Sequence, residues 1–584
     1  MRSELRSSSA GTATTTAFNS RERFWKILFA SLALARFLSL IPFIVDDDEA
    51  WWSVAARSLS SPFEYYFRAV DHKPPGIVWF VKFFGSDPRL SRFFFTLLIA
   101  MVAILLGRIR RKKIDWKASC FFLFALAVGS PKLLTLTADG VLVFFIVAAY
   151  FVALSFDFRW SSVLAGALLG CALLVKQTGV FFAIPILFAR EPKKWSIREI
   201  FGFALGSAFI YVPAVFLMDW REFFYWNWTY PREVLTRARG SAFNLFFDMA
   251  TNALQYLVVL LPLFYFALHA KVHDWKRDFR ILWLIAALMG TFLGRGIFLH
   301  YFLLLAPPLA LLAADGFSEK RFALAWLISG YAFACLVITF PFSGLFWGND
   351  SLHAELVARK MDQIGELLHD RSVMVWGGSS LPLAYSSANY SGRFLLPRFA
   401  EPPYQTDRTL EIFHREFEEH PPMLIVDLHE RGDNLFDNPF ESDPFILVHL
   451  ESGYHLFIDP TLPWAKFYVR NPSVGLAALH LEAITGLENT QRVYSKFPTR
   501  ESEWRFLGED REHRVSDALE LLSLQSQDPV VRNRAGELLR EFKLSEAEAF
   551  LVTFKEPLLP LRSRLWWPEV AIVELQPKLF SGKK

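Results

Sequence analysis

The sequence predicts an α-helical polytopic membrane protein that ends in a soluble-type α/β plus helical segment. Three observations predict it. Of the 584 residues, 53% are hydrophobic, above the roughly 45–50% typical of soluble domains. Apolar runs fill the chain to residue 346 and then stop. With the N-terminus set in the cytoplasm, nearly every dense basic loop falls on one side, as the positive-inside rule requires.

About eleven spans of roughly 15–22 residues can be drawn, against an expected ~20 per span. They cover 24–45, 91–108, 118–133, 138–156, 161–175, 178–190, 199–218, 250–270, 280–294, 298–314 and 322–345. The basic inner segments carry Arg21, Arg23 and Lys26, then Arg108–Lys113, Arg190–Arg198, Lys271–Arg280 and Lys320-Arg321. The outer face receives Asp46–Pro75, Lys132–Asp139, Lys176-Gln177, Asp219–Asp248 and Arg295–His300. Those hold almost all the polar residues a membrane enzyme could use. Chemistry is therefore expected on the outer face.

This gives four regions. Residues 1–23 form a Ser/Thr/Ala-rich disordered cytoplasmic tail, and 24–346 a membrane domain with its first outer loop at 46–90. Within that loop, Ala50–Arg68 reads as an amphipathic helix, with Trp51, Trp52, Tyr65 and Tyr66 suited to an interface. Gly76–Phe84 reads as a second interfacial helix, too short to cross and broken at Gly85. Residues 347–465 read as an α/β domain, with strands at Ser372–Trp376, Met423–Asp427 and Phe445–Leu450 and a helix at Thr409–Glu418. Residues 466–584 read as a mainly helical extension, its pattern clearest over Ser516–Phe542.

Several function classes drop out. A net charge of +4 over this length implies no nucleic-acid partner. Cys120, Cys171 and Cys335 all lie in apolar runs, which excludes cysteine-spaced metal sites and a disulfide in the C-terminal third. The Gly377-Gly378-Ser379 turn lacks the further glycines of a dinucleotide fingerprint. No HExxH, nucleophile elbow or Walker sequence supports a hydrolase or ATPase.

The candidate chemistry begins with four acids, Asp46 to Glu49, where the first span ends. They suit a solvated cap; they also suit a general base, given Asp139 at the outer start of another span. Asp139 is equally a candidate helix cap. Asp71-His72-Lys73 is followed by Pro74-Pro75, which forces an extended turn and fixes Lys73 at headgroup level. There it is either a point charge for a lipid phosphate or a snorkelling anchor. Lys176, Arg295, His300 and Tyr301 stand on the same face as phosphate or sugar ligands, or as interface anchors. Arg232, Arg237 and Arg239 suit anionic lipid.

These elements, in this order and on one face, resemble the GT-C membrane glycosyltransferases. More narrowly they resemble the bacterial relatives of the protein O-mannosyltransferases and the lipid A aminoarabinose transferases. The likeness covers residues 20–320 and runs through Asp48-Glu49, Lys73-Pro74, Asp139 and HYFLLLAPPLALLAA from His300. It implies a GT-C type fold and a sugar transfer from a polyprenyl-phosphate donor to a lipid A, surface-glycan or protein acceptor. It further implies the bacterial inner membrane, with the C-terminal domain periplasmic. Asp48, Glu49 and Asp139 become the catalytic acids, Lys73 and Arg295 the donor-phosphate ligands. Asp71, His72, Lys176, His300 and Tyr301 line the substrate pocket. No nucleotide cofactor is implied; some relatives carry a metal, and His72 with His300 are too few to specify one. A lipid or polysaccharide flippase, or a non-catalytic envelope scaffold, is the alternative. A flippase calls for midplane charges in repeated halves, and neither is visible.

Overall fold

The computed structural model describes residues 22–470 apart from 38–39, 41–45, 110–112, 130–133, 157–159, 190–195, 238–249, 251–252, 255–259, 273–277, 294–298, 318–353, 367–369, 377–379, 396–398, 400–403, 429–443, 459–461 and 463–464. Arg239, Arg295, the expected span at 322–345 and the helical pattern at Ser516–Phe542 lie outside the described residues.

Helix α1 covers 22–37. The first outer loop then folds as α2 (Asp47–Ser58), a 3₁₀ turn, α3 (Tyr65–Arg68) and α4 (Gly76–Phe83); the single interfacial helix expected over Ala50–Arg68 is broken after Ser58, and Trp51, Trp52, Tyr65 and Tyr66 are buried in packing contacts. The bundle continues with α5 (Pro88–Arg108), α6 (Trp116–Gly129), α7 (Ala138–Ser155), α8 (Ser161–Val175), α9 (Ala183–Phe188) and α10 (Ile197–Leu217). Three of these, α5, α7 and α10, are long and apolar enough to cross a membrane. Others are shorter apolar helices, including α8, a 3₁₀ turn leading into α9, and the helices near 279–292 and 300–316.

Small residues let the helices approach. Gly166 and Gly170 of α8 face Gly202 and Gly206 of α10. A Cβ on Gly166 would lie 2.0 Å from the Phe203 carbonyl oxygen, and one on Gly206 2.0 Å from that of Val163. This is the small-xxx-small packing that brings membrane helices into backbone contact. The outward stripe of α10, with Phe201, Leu205, Phe209 and Phe216, stays exposed.

The segment Asp219–Asp248 is helical as far as it is described. It runs as α11 (Trp220–Phe224), a π-helical turn (Tyr225–Thr229) and α12 (Tyr230–Arg237). After it come α13 (Leu261–Leu268), α14 (Phe279–Leu293), a 3₁₀ turn (Leu299–Leu305) and α15 (Ala306–Gly316). On the face expected to be cytoplasmic, Arg280 binds Asp278 and, at 3.1 Å, Asp315.

The C-terminal segment opens with α16 (354–366) and holds a five-stranded mixed sheet. Its strands are β1 (Ser372–Trp376), β2 (Asn389–Tyr390), β3 (Leu424–Asp427), β4 (Tyr454–Ile458) and β5 (Lys466–Arg470), in the order β2-β1-β3-β5-β4. The first three pair in parallel, while β5 runs antiparallel to β3 and β4. The sheet thus extends past residue 465. α17 (Leu381–Tyr385) and α18 (Asp407–Glu419) are the crossovers. One expectation is corrected: Phe445–Leu450 is not a strand but part of α19 (Pro444–Gly453). Its aromatic face decides this, since Phe445 stacks on His414 of α18 at 3.9 Å and meets Phe417 at 6.0 Å.

Candidate active site

Four acids arrive together at the start of α2, where negative charge complements the helix dipole. They part at once. Asp47 is exposed, Asp46 and Asp48 are half-buried, and Glu49 is buried. Glu49 Oε1 accepts from Arg92 Nε at 2.8 Å and from the Leu136 amide at 2.6 Å. Its Oε2 accepts from Arg92 Nη2 and, at 3.2 Å, from the Asp46 amide. One carboxylate thereby ties α2 to α5 and to the turn before α7. Arg92 was legible only as the start of a span; its partner lies 43 residues upstream.

Asp139 sits in the first turn of α7, but Thr137 caps that helix by accepting from the Gly140 amide at 3.1 Å. The Asp139 carboxylate instead receives Lys176 Nζ on both oxygens, at 2.8 and 2.9 Å. The same ammonium lies 3.6 Å from the centroid of the Tyr301 ring, a cation–π contact. His300 is buried beside that ring, 4.7 Å away and edge-on. Four predicted site residues from three segments meet here.

A third group is the Asp71-His72-Lys73 turn. Asp71 is buried and accepts from the His72 amide at 2.7 Å, with His72 Nδ1 also at 2.7 Å. Lys73 Nζ stands 3.7 Å from Asp71 Oδ2 and 5.4 Å from the Trp52 ring centroid. Gln177 Nε2 donates to the His72 carbonyl at 2.8 Å, so this turn adjoins the one that carries Lys176. Close packing enforces it: a Cβ on Gly76 would lie 2.5 Å from the Leu174 carbonyl oxygen. Burial raises the Tyr65 and Tyr66 hydroxyls well above their ordinary value of 10.0, with the Asp71 charge adding to both.

The α/β segment closes over this end of the bundle. Ser380 Oγ donates to the Asp47 carbonyl at 3.1 Å, Arg57 Nη2 to that of Leu383 at 2.6 Å, and the Val70 amide to that of Arg393 at 3.1 Å. Farther along, Tyr225 OH meets Thr406 Oγ1 at 3.0 Å, and Arg408 lies 3.9 Å from the Tyr225 ring while pairing with Glu222. As far as they are described, the segments that loop charge assigned to one face meet at one end of the bundle. Arg232 is exposed. Among the described residues, no three His, Cys, Asp or Glu side chains gather to hold a metal. His72 turns to Asp71 and His300 to Tyr301.

No protein-family model and no curated protein matches the chain. Solved structures do. ArnT from Cupriavidus metallidurans bound to undecaprenyl phosphate aligns with 77% of this chain and 98% of its own, at 15% identity and a TM-score of 0.52. Apo ArnT aligns with 78% and 99%, at 16% identity and a TM-score of 0.53. The chain has a GT-C fold. That likeness extends over nearly all of ArnT and over about three quarters of this chain. A match to the Saccharomyces cerevisiae Pmt1–Pmt2 complex bound to its sugar donor spans 34% of this chain and 33% of that one. At 19% identity and a TM-score of 0.24, it is too partial to compare folds.

Proposed function

We propose that the protein is an integral-membrane glycosyltransferase that moves a sugar from a polyprenyl-phosphate donor to a hydroxyl-bearing acceptor on the outer, periplasmic face. The observation that carries this is the convergence of Glu49–Arg92, Asp139–Lys176 and Asp71–Lys73 at one end of a GT-C bundle. A transporter would need charge at mid-membrane instead. The orientation rests on the basic loops, which collect at the other end of the spans.

The roles follow from how each charge is held. An ionised carboxylate offers about four acceptor sites, and Glu49 uses four donors. It is suited to hold α2, not to take a proton. Asp139 is bound on both oxygens by Lys176 and sets the charge of the pocket wall. Asp48, half-buried at the same helix start, is the general base. It takes the acceptor hydroxyl proton as that oxygen attacks the anomeric carbon. The bond to the phosphate oxygen breaks, its electron pair leaves with the lipid phosphate, and configuration inverts. Lys73 neutralises the departing anion, with Arg295 as a second ligand; His72, His300 and Tyr301 line the sugar. The acceptor is lipid A, a surface glycan or a protein.

Mass spectrometry of lipid A, surface glycan and glycoproteins from cells lacking the chain should reveal one missing sugar. The wild-type gene should restore it and the Asp48→Asn variant should not, which for a general base is a loss of about 10²–10⁴-fold. Full restoration by both Asp48→Asn and Asp139→Asn would sink the enzyme reading.

A further inference from the structure

Asn227 and Gln177 make a contact that none of the catalytic roles above uses. Gln177 Nε2 reaches three acceptors: the His72 carbonyl at 2.8 Å, the Asn227 carbonyl at 3.1 Å and Asn227 Oδ1 at 3.1 Å. Asn227 Nδ2 donates in turn to Tyr66 OH at 2.5 Å and to the Phe223 carbonyl at 2.8 Å. Asn227 and Tyr66 are buried. Three segments far apart in sequence are thus joined through two amide side chains.

The local backbone explains why these atoms are available. Asn227 is the middle residue of the π-helical turn Tyr225–Thr229. Such turns are rare and redirect carbonyls from their usual partners, often at functional sites. Here the Asn227 carbonyl faces a side chain from another element. At the other end, the His72 carbonyl belongs to the peptide bond that leads into Lys73. Beyond Lys73, Pro74 restricts its backbone to extended conformations. Lys73 is therefore held on both sides, by a proline after it and by the Gln177 amide before it.

We infer that Gln177 and Asn227 are positioning residues: an amide clamp that fixes the His72–Lys73 peptide and so aims the Lys73 ammonium at the donor phosphate. This rests on the donor-site reading of Lys73. It adds that α11–α12, through the π turn, sets the geometry of the phosphate site without touching the lipid. Neither amide acts on the reacting atoms. Both act through Lys73.

The test is binding of undecaprenyl phosphate to the full chain in nanodiscs, with undecaprenol as the phosphate-free control. Lys73→Ala should weaken binding of the phosphate form only. Gln177→Met, which keeps the volume and removes the donor, should weaken it about tenfold, as expected for a hydrogen bond made to an oriented group. Asn227→Leu should do the same, and the double variant should lose no more than either, since the pair acts as one unit. On the Lys73→Ala background the Gln177→Met loss should vanish. A loss that persists there, or that appears equally for undecaprenol, marks a structural contact and overturns the inference. Wild-type binding by Gln177→Met and Asn227→Leu overturns it too. If Lys73→Ala itself binds as wild type, the donor-site reading fails and the clamp falls with it.

Discussion

Glu49 and Arg92 form a buried pair whose members are 1% and 5% exposed along the side chain. Removing one partner strands the other charge out of water, so Arg92→Ala should lose about 3–5 kcal/mol of stability. Replacing both by Leu and Met should lose much less, and thermal unfolding in detergent reads the difference. Two adjacent tyrosines make a second contrast. Tyr65 OH is buried with no hydrogen bond among the described residues, whereas Tyr66 OH receives Asn227. Tyr65→Phe should melt at or above wild type, while Tyr66→Phe leaves a buried amide proton unmet and should lose about 1–3 kcal/mol. The pH dependence follows the same hydroxyls. Burial raises both above 10.0, so in the alkaline range the unfolded chain gives up protons that the folded chain keeps. Stability is then full below that value and falls as pH rises past it; Tyr65→Phe should shrink the alkaline loss. Of the residues that meet at this end of the bundle, Asp139, Lys73 and Lys176 were legible from position and charge. Arg92 and Asn227 were not. One looked like the start of a span and the other like part of an aromatic run, because their partners lie 43 and 161 residues away.

At the scale of elements, packing is set by where side chains are missing. Gly206→Leu drives a side chain into the α8 backbone, and overpacking of that kind costs about 1–3 kcal/mol or more. Gly85→Ala meets nothing within 4 Å but must hold a φ of +78°, a left-handed geometry worth about 1–2 kcal/mol for an L residue. Denaturation of the two variants should therefore differ in origin: Gly206→Ser should recover part of the first loss, and Gly85→Asn most of the second. The helical character of the bundle was readable from its apolar runs, and that of the first outer loop from an amphipathic, aromatic pattern. The run Phe445–Leu450 was read as a strand, but a short apolar run fits a helix as well. Only stacking on α18 chose between them.

For the whole molecule, the docking of the α/β segment on the outer loop links its sheet to the acids of α2. Arg57, held through Leu383, and Arg393, paired with Glu416 and donating to the Tyr66 carbonyl at 3.3 Å, are two of the bridges. Arg57→Ala with Arg393→Ala should loosen that lid. Limited proteolysis should then cut within 46–87 faster than in wild type, with the membrane bundle still intact. Unchanged cleavage would mean the segment merely rests on the loop.

Hydropathy and loop charge along the chain were enough to predict an apolar helical bundle and to single out most of the charged residues that meet at one end of it. Those properties depend on hydropathy, loop charge and local turn chemistry, which are carried by neighbours along the chain. That Glu49 is the buried acid of the four, that Asp139 binds Lys176 and that Gln177 reaches the His72 carbonyl emerge only from the folded chain. Each depends on a partner from a distant segment, and a carboxylate's role is set by how many donors reach it. Asp139 shows the difference: its place at the start of α7 suggested a cap, but Thr137 takes that role and Lys176 claims the carboxylate.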